Sequence, residues 1–375
     1  MSRQKSSGRF RFAAASILLA ALVFLVPALQ NGNATLYTLA VLIPCAMFLS
    51  ETVLARMFSL DRMVMALVLY LCALGIASFA LTDPDAAIAQ ALRCGAGLVA
   101  LLIGGILIRS LSPSLLTASC TAFLGLLLLA GKLLSPSFSL PLSEAALALL
   151  LVAFAALLAR QGPVSALLIG IAGLALLLVR GEPAEAALWG LTVLLLVFAV
   201  DGRLVVVLPA LAVELLLFFG VFHLFPGMSQ NSDSLSILAS AGAIGSDLLP
   251  EGIETLDSVS LFSRMAGHYG LIFSGLSVLL FLPLALRGTS VASSARTRFH
   301  AVLAMGSVLL LSLRAIAALL SVFGFLPLSG LRLPFLSTSL PDLCAELFLA
   351  GLLCGVSGRS DADLAEDAHL AMLAK

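Results

Sequence analysis

The chain has 375 residues, 61% hydrophobic and 11% charged, with a formal net charge of zero at neutral pH. Soluble domains carry about 25% charged residues, so little of this chain can face water, and the balanced charge offers no surface for nucleic acid. The six cysteines (Cys45, Cys72, Cys94, Cys120, Cys344 and Cys354) all lie in apolar runs without metal-ligand spacing and read as small buried hydrophobes.

In chain order, a basic start, MSRQKSSGRFRF, precedes the first apolar run. No small-residue cleavage site closes that run and further runs follow, so it reads as an uncleaved membrane helix. A membrane helix needs about 20 apolar residues. Candidate spans lie at 11–29, 35–56, 62–81, 88–109, 114–134, 143–159, 163–180, 184–200, 203–224, 259–286, 299–324 and 339–357. The expected fold is an all-α integral membrane bundle of about twelve helices, each near the spanning length. The turns at 160–163 and 201–203 are short enough to force antiparallel hairpins.

One sizeable loop, 225–258, separates two of these spans, and it holds Asp233, Asp247, Glu251, Glu254 and Asp257. A second connector, 323–337, reads FGFLPLSGLRLPFLS. Two prolines and two glycines make it a shaped turn. Its other residues are mostly Leu and Phe, which suits a turn dipping back among helices, covered by protein rather than lipid. A tight hydrophobic connector is the plainer alternative.

Basic residues set the orientation. With the N-terminus in the cytoplasm, the inner side receives Arg3, Lys5, Arg9, Arg11, Arg56, Arg62, Arg109, Arg160, Arg203, Arg287, Arg296, Arg298, Arg359 and Lys375, fourteen of the 20 basic residues. Lys132, Arg180, Arg264 and Arg332 fall outside, and Arg93 and Arg314 fall within spans. Both termini are then cytoplasmic, and the 225–258 loop and the proline-rich turn are extracytoplasmic.

Several segments together resemble a family. FGFLPLSGLRLPFLS resembles the GxLPxxGxxLPFxS signature of SEDS proteins (FtsW, RodA, SpoVE), the bacterial peptidoglycan polymerases of shape, division and sporulation. LPLSE at 140–144 resembles the family's QPSE, and Glu182-Pro183 stands where the family has QPD. SILASAGAIG at 236–245 resembles its glycine-rich outer segment, and 262–275 resembles FAVIGEEFGLIG. Asp61, Gly75, Asp83-Pro84, Gln90 and Gly95 resemble its first helix pair. The resemblance implies a ten-helix membrane domain over 61–357, two additional helices over 11–60, and cytoplasmic tails at 1–10 and 358–375. Family positions also differ here. The double glycine after LPFxS is missing, the penultimate helix has Ala318 and Arg314 for Asn and Gln, and the paired Glu fall on Gly267 and His268. The QPD aspartate falls on Ala184, beside Glu185, and a lysine falls on Leu147.

The resemblance implies glycosyl transfer between lipid-linked disaccharides outside the membrane, with a carboxylate base and cations steadying the pyrophosphate that leaves. Asp257 best matches the family's essential aspartate, although it stands five residues before Phe262 where the family spacing is three, and Glu251 and Glu254 are alternates. Glu144, Arg332, Ser337 and Lys132 fall along the implied substrate groove. Glu144 reads equally as a carboxylate stabilised at a helix N-terminus. Arg314 and Glu346 lie at similar depths in neighbouring spans and are expected to pair, since intramembrane charges are costly alone. Glu214 is mid-span, with Arg93 as its long-range candidate. No resident cofactor is indicated, though a divalent cation can accompany a pyrophosphate substrate. The implied partners are undecaprenyl-linked lipid II and a class B penicillin-binding protein, in the bacterial cytoplasmic membrane. Two alternatives stay open: a non-catalytic relative serving as scaffold or lipid-sugar binder, and a flippase of lipid-linked sugar.

The basic asymmetry generates the first test. A cysteine placed at Ser232, in a background stripped of native cysteines, should react with an impermeant maleimide in intact cells. Reaction only after lysis contradicts the orientation.

Overall fold

Apolar length and a few helix-ending residues decide the elements. The computed structural model describes residues 15–25, 28–29, 34–80, 84–134, 142–202, 207–213, 215–216, 237–243, 261–325 and 331–373. These residues form helices and connectors, with no strand among them. In order the helices are α1 (Ala15–Leu25), α2 (Ala34–Met57, with a wide π-turn at Ser50–Leu54), α3 (Arg62–Ala80), α4 (Pro84–Ser110), α5 (Leu115–Leu134) and α6 (Ser143–Arg160). Then follow α7 (Pro163–Val179), α8 (Pro183–Asp201), α9 (Leu261–Tyr269), α10 (Leu271–Ser294), α11 (Arg298–Val322) and α12 (Leu340–Leu373). Eight of the described helices are long and apolar enough to cross a membrane, and α1, α5 and α7 carry shorter apolar stretches. Pieces of the expected 203–224 span are helical at 207–213 and 215–216.

Two boundaries differ from the sequence expectation. The span expected at 259–286 is broken at Gly270, whose φ of 89° no side-chain residue holds cheaply, and the helix then restarts and runs on to Ser294. The backbone of α12 stays helical past the expected end of the span, as far as Leu373. The break at Gly270 is also where the segment 237–243 docks: the amides of Leu271 and Ile272 donate to the carbonyls of Gly242 and Ala243 at 3.2 and 3.3 Å.

Antiparallel neighbours bury an aliphatic centre. Trp189 of α8 is fully buried, donates its indole N–H to Gly170 of α7 at 2.9 Å, and meets the edge of Phe154 of α6. The most extensive packing joins α4 to α12. In lipid no hydrophobic effect drives helices together, so close van der Waals approach must do so. A Cβ on Gly351 would stand 2.1 Å from the Leu101 carbonyl oxygen, and one on Gly104 would stand 2.5 Å from that of Phe348. Glycine is required on both sides of this contact.

One end of the bundle is closed by a single aspartate. Asp61 Oδ1 accepts from the amides of Met63 and Val64 at the start of α3, at 2.9 and 3.3 Å. Its Oδ2 accepts from Arg287 Nε of α10 and from Ser357 Oγ of α12, both at 2.8 Å. Burial alone would raise the Asp61 pKa, but the hydrogen bond and charge of Arg287 hold it below the usual carboxylate value. A depressed folded pKa means stabilisation present above the unfolded value of about 3.9 and lost as pH falls through the folded one.

Two outcomes follow from this packing. Gly351→Ala should destabilise the protein by about 1–3 kcal/mol, the usual cost of overpacking, while Gly95→Ala, with nothing within 4 Å of its new Cβ, should be neutral in the same melt. Asp61→Asn leaves Arg287 unpaired and should cost about 3 kcal/mol near neutral pH, with the gap to wild type narrowing in acid. Equal melts for the two glycine variants, or a gap for Asp61→Asn that widens in acid, would contradict the packing.

Candidate functional site

Polar chemistry collects at the other end, where α6, α8 and α12 begin and α11 approaches its end. Pro183 opens α8 as a first-turn proline, a position that needs no amide donor. That start places Glu185 in the first turn, as Ser143 places Glu144 in the first turn of α6. Glu346 lies six residues into α12, ~9 Å from its start at about 1.5 Å per residue. Arg314 lies eight residues before the end of α11, ~12 Å deep by the same rise.

These four residues meet. The Arg314 guanidinium contacts the carboxylates of Glu144 and Glu185 directly, and its Nη1 stands 3.9 Å from Glu346 Oε1. The four side chains are between 1% and 16% exposed, so one cation sits among three carboxylates with little water. Charge-paired groups in lipid-depth interiors must satisfy one another. Arg314 thereby ties four helices, α6, α8, α11 and α12, at one level.

The signature turn closes over this knot. Its described residues, 323–325 and 331–337, are non-helical; Leu331, Leu333, Phe335, Leu336 and Ser337 are buried, while Phe323 and Phe325 are exposed. Phe335 holds φ of 67°, a strained value for an aromatic residue. The strain is offset by three contacts. The Phe335 amide donates to Glu346 Oε2 at 2.6 Å, its ring stacks on Phe281 of α10, and its carbonyl lies against Gly75 of α3. Next along the turn, Gln90 Nε2 of α4 donates to the Ser337 carbonyl at 2.9 Å, and Arg93 Nη1 donates back to Gln90 Oε1 at 3.2 Å. Arg332, its side chain 51% exposed, pairs with Asp342 at 3.1 Å. At the same end, Arg180 spans the α7–α8 turn to Glu182 at 3.1 Å and donates to the carbonyls of Leu128 and Leu129. Tyr269 donates to the Ala77 carbonyl at 3.3 Å, and Arg264 lies over the Phe79 ring, so α9 borders this end too.

Of the residues singled out from sequence, Arg314, Glu346 and Glu144 are brought together, with Arg332 and Ser337 on the turn beside them. Asp257, Glu251, Glu254 and Glu214 lie outside the described residues, as does the side chain of Lys132. Glu185, noted in the sequence only as a neighbour of Ala184, is a full member of the knot. Its first-turn place behind Pro183, with no charge to answer it on α8, was the available signal. Among the described residues no group of three or more His, Cys, Asp or Glu is arranged to hold a metal ion. The centre between the three carboxylates belongs to Arg314.

An all-helical, multi-pass membrane protein with a buried charge knot beneath a proline-shaped turn is the class this geometry defines. A family model described as "Cell cycle protein", FTSW_RODA_SPOVE, matches residues 142–361, more than half of the chain. The chain belongs to the FtsW/RodA/SpoVE family. It is 39% identical over 99 residues to "Probable peptidoglycan glycosyltransferase FtsW" of Geobacter metallireducens and 31% identical over 99 residues to the protein of the same name from Trichlorobacter lovleyi. Those matches cover 26% of this chain, and 26% and 25% of the two relatives, so the chain spans about a quarter of the length of the curated relatives it matches. Fold similarity is wider. The crystal structure of Thermus thermophilus rod shape determining protein RodA matches with a TM-score of 0.58 at 24% identity, over 80% of this chain and 97% of that one. A chain from a structure titled as a peptidoglycan synthase complex that coordinates polymerization and crosslinking matches with a TM-score of 0.62, at 24% identity over 80% and 98%.

The knot makes a specific stability prediction. Arg314→Met strands three carboxylates and should cost at least about 3–5 kcal/mol, the range for a broken buried pair. Adding Glu144→Gln, Glu185→Gln and Glu346→Gln to Arg314→Met should restore folded yield and melting temperature above the single variant. Simple addition of the separate losses would mean the groups do not share one site.

Proposed function

We propose that this protein is a peptidoglycan glycosyltransferase of the SEDS type, polymerising lipid II in the bacterial cytoplasmic membrane with both termini in the cytoplasm. The family match over 142–361, which includes the signature turn, carries this reading. The names of its relatives and the synthase-complex structure among its fold neighbours support it.

In this reading, a hydroxyl of one lipid-linked disaccharide attacks the anomeric carbon of another. The new C–O bond forms as the bond to undecaprenyl pyrophosphate breaks. Asp257, or Glu251 or Glu254 in its loop, takes the hydroxyl proton. Arg332, the half-exposed cation at the rim, steadies the departing pyrophosphate together with Lys132, and any divalent cation arrives with that substrate. Glu144 and Ser337 belong to the groove wall, and Arg314 holds that wall in shape. A class B penicillin-binding protein is the proposed partner, which would crosslink the strands this chain makes.

The non-catalytic alternative draws on one observation. Arg314 stands where the family has Gln, and its guanidinium is taken up by carboxylates, so it is not available to substrate. A flippase needs polar residues along a path between both faces, and in the bundle's middle Leu150, Phe154, Trp189, Leu303 and Leu353 are fully buried apolar side chains.

Lipid II polymerisation by the purified protein with its partner is the test. Asp257→Ala should cut the rate by at least about tenfold, since a general base contributes typically 10²–10⁴-fold, while leaving partner binding intact. Glu251→Ala and Glu254→Ala are run in parallel. Equal rates for wild type and all three variants would remove the base assignment. A wild type that binds a partner and never polymerises would favour the non-catalytic reading.

A further inference from the structure

Away from the charged knot, the bundle carries an open apolar slot of about 420 Å³, between the starts of α5 and α7 and the end of α6. Leu115, Leu116, Ala118, Ser119, Leu157 and Ile169 line it. Leu116 is 75% exposed and Leu115 48%, so the slot opens sideways, where the bilayer would be, and Ala118 and Leu157 form its buried floor. Its one lining hydroxyl, Ser119, already donates to the Leu116 carbonyl of its own helix at 3.1 Å. Nothing inside therefore calls for a polar ligand. The size falls within the range of small-molecule pockets, roughly 300–1,000 Å³. An apolar, laterally open slot of this size suits a hydrocarbon chain.

The rim has the opposite character. Arg160, three residues after Leu157, is exposed and donates Nη1 to the Pro113 carbonyl at 3.2 Å, two residues before Leu115. That bond uses one of the five N–H donors of a guanidinium. Arg109, in the last turn of α4, donates to the Phe58 carbonyl. No carboxylate occurs in 109–119 or 157–169, and the contact Arg160 makes is to a neutral carbonyl, which leaves its other N–H donors for a ligand. A guanidinium fork matches phosphate oxygens in two-point contact.

We propose that this slot is a specific site for one anionic phospholipid, with Arg160 on the headgroup phosphodiester and one acyl chain lying over Ala118. This site is at the Asp61 end of the bundle, separate from the Arg314 knot and the signature turn, and does not depend on the reading of the latter as a polymerase.

Native mass spectrometry of the detergent-solubilised full chain titrated with phosphatidylglycerol, phosphatidylcholine or glycerol 1-phosphate tests it. One phosphatidylglycerol should bind saturably, and phosphatidylcholine more weakly. Glycerol 1-phosphate at the same concentration should neither bind nor compete, because it lacks the chain. Arg160→Gln should weaken phosphatidylglycerol binding about tenfold, the scale of a lost charge-assisted hydrogen bond, and Arg160→Lys should weaken it less. Ala118→Phe should abolish the bound lipid by filling the floor. Ser119→Leu, at an exposed position, should narrow the slot and weaken binding even if Ala118→Phe fails to fold. Unchanged affinity in both Arg160→Gln and Ser119→Leu, or competition by glycerol 1-phosphate, would overturn the proposal. So would displacement of the lipid by a partner's transmembrane helix with equal occupancy in all variants.

Discussion

The structure depends most on a charge imbalance placed where lipid would surround it. Arg314 is the one cation among Glu144, Glu185 and Glu346, and all four are largely shut off from water. No one helix could carry such a charge through a bilayer by itself, since an isolated intramembrane ion is costly. The cost is met only when α6, α8, α11 and α12 arrive together. The knot therefore acts as an assembly condition as well as a contact. It also fixes the signature turn, because the Glu346 oxygen that does not face Arg314 accepts the Phe335 amide and holds that residue at a positive φ.

The two ends of the bundle solve the same problem differently. At the far end one aspartate serves α3, α10 and α12, using both its oxygens on amides, a guanidinium and a hydroxyl. At the knot end one arginine serves several carboxylates, and the spare hydrogen-bonding capacity goes to a shaped turn. Between the ends, aliphatic side chains and close glycine contacts such as Gly351 against Leu101 do the joining. The bundle thus has an apolar middle with polar fixtures at its ends.

Much of this was legible in the sequence because membrane physics is restrictive. Apolar run length gave the helices. The apolar character of 323–337 suggested a turn covered by protein, which holds for Leu331, Leu333, Phe335, Leu336 and Ser337 but not for Phe323 and Phe325, which are 46% and 76% exposed. Less legible were features that depend on three-dimensional convergence. Matching depths suggested Arg314 beside Glu346, yet depth alone cannot tell which helices are adjacent, so Glu185, 129 residues from Arg314 in sequence, went unassigned. The Gln90–Ser337 bond, 247 residues apart, had no local signal. Apolar run length alone runs the 259–286 span through Gly270, whose positive φ and neighbouring bonds to 242–243 depend on contacts distant in sequence.

The central claim is that the fork geometry of Arg314, and not merely its charge, holds this end of the protein together. Arg314→Lys separates the two, because an ammonium keeps the charge but is a point donor that cannot reach several carboxylates in fixed directions. Thermal unfolding of the purified full chain in one detergent, wild type against Arg314→Lys, is the direct measurement. The account predicts a loss of about 2 kcal/mol or more, approaching that of a broken buried pair. A lysine variant that melts with the wild type would contradict it.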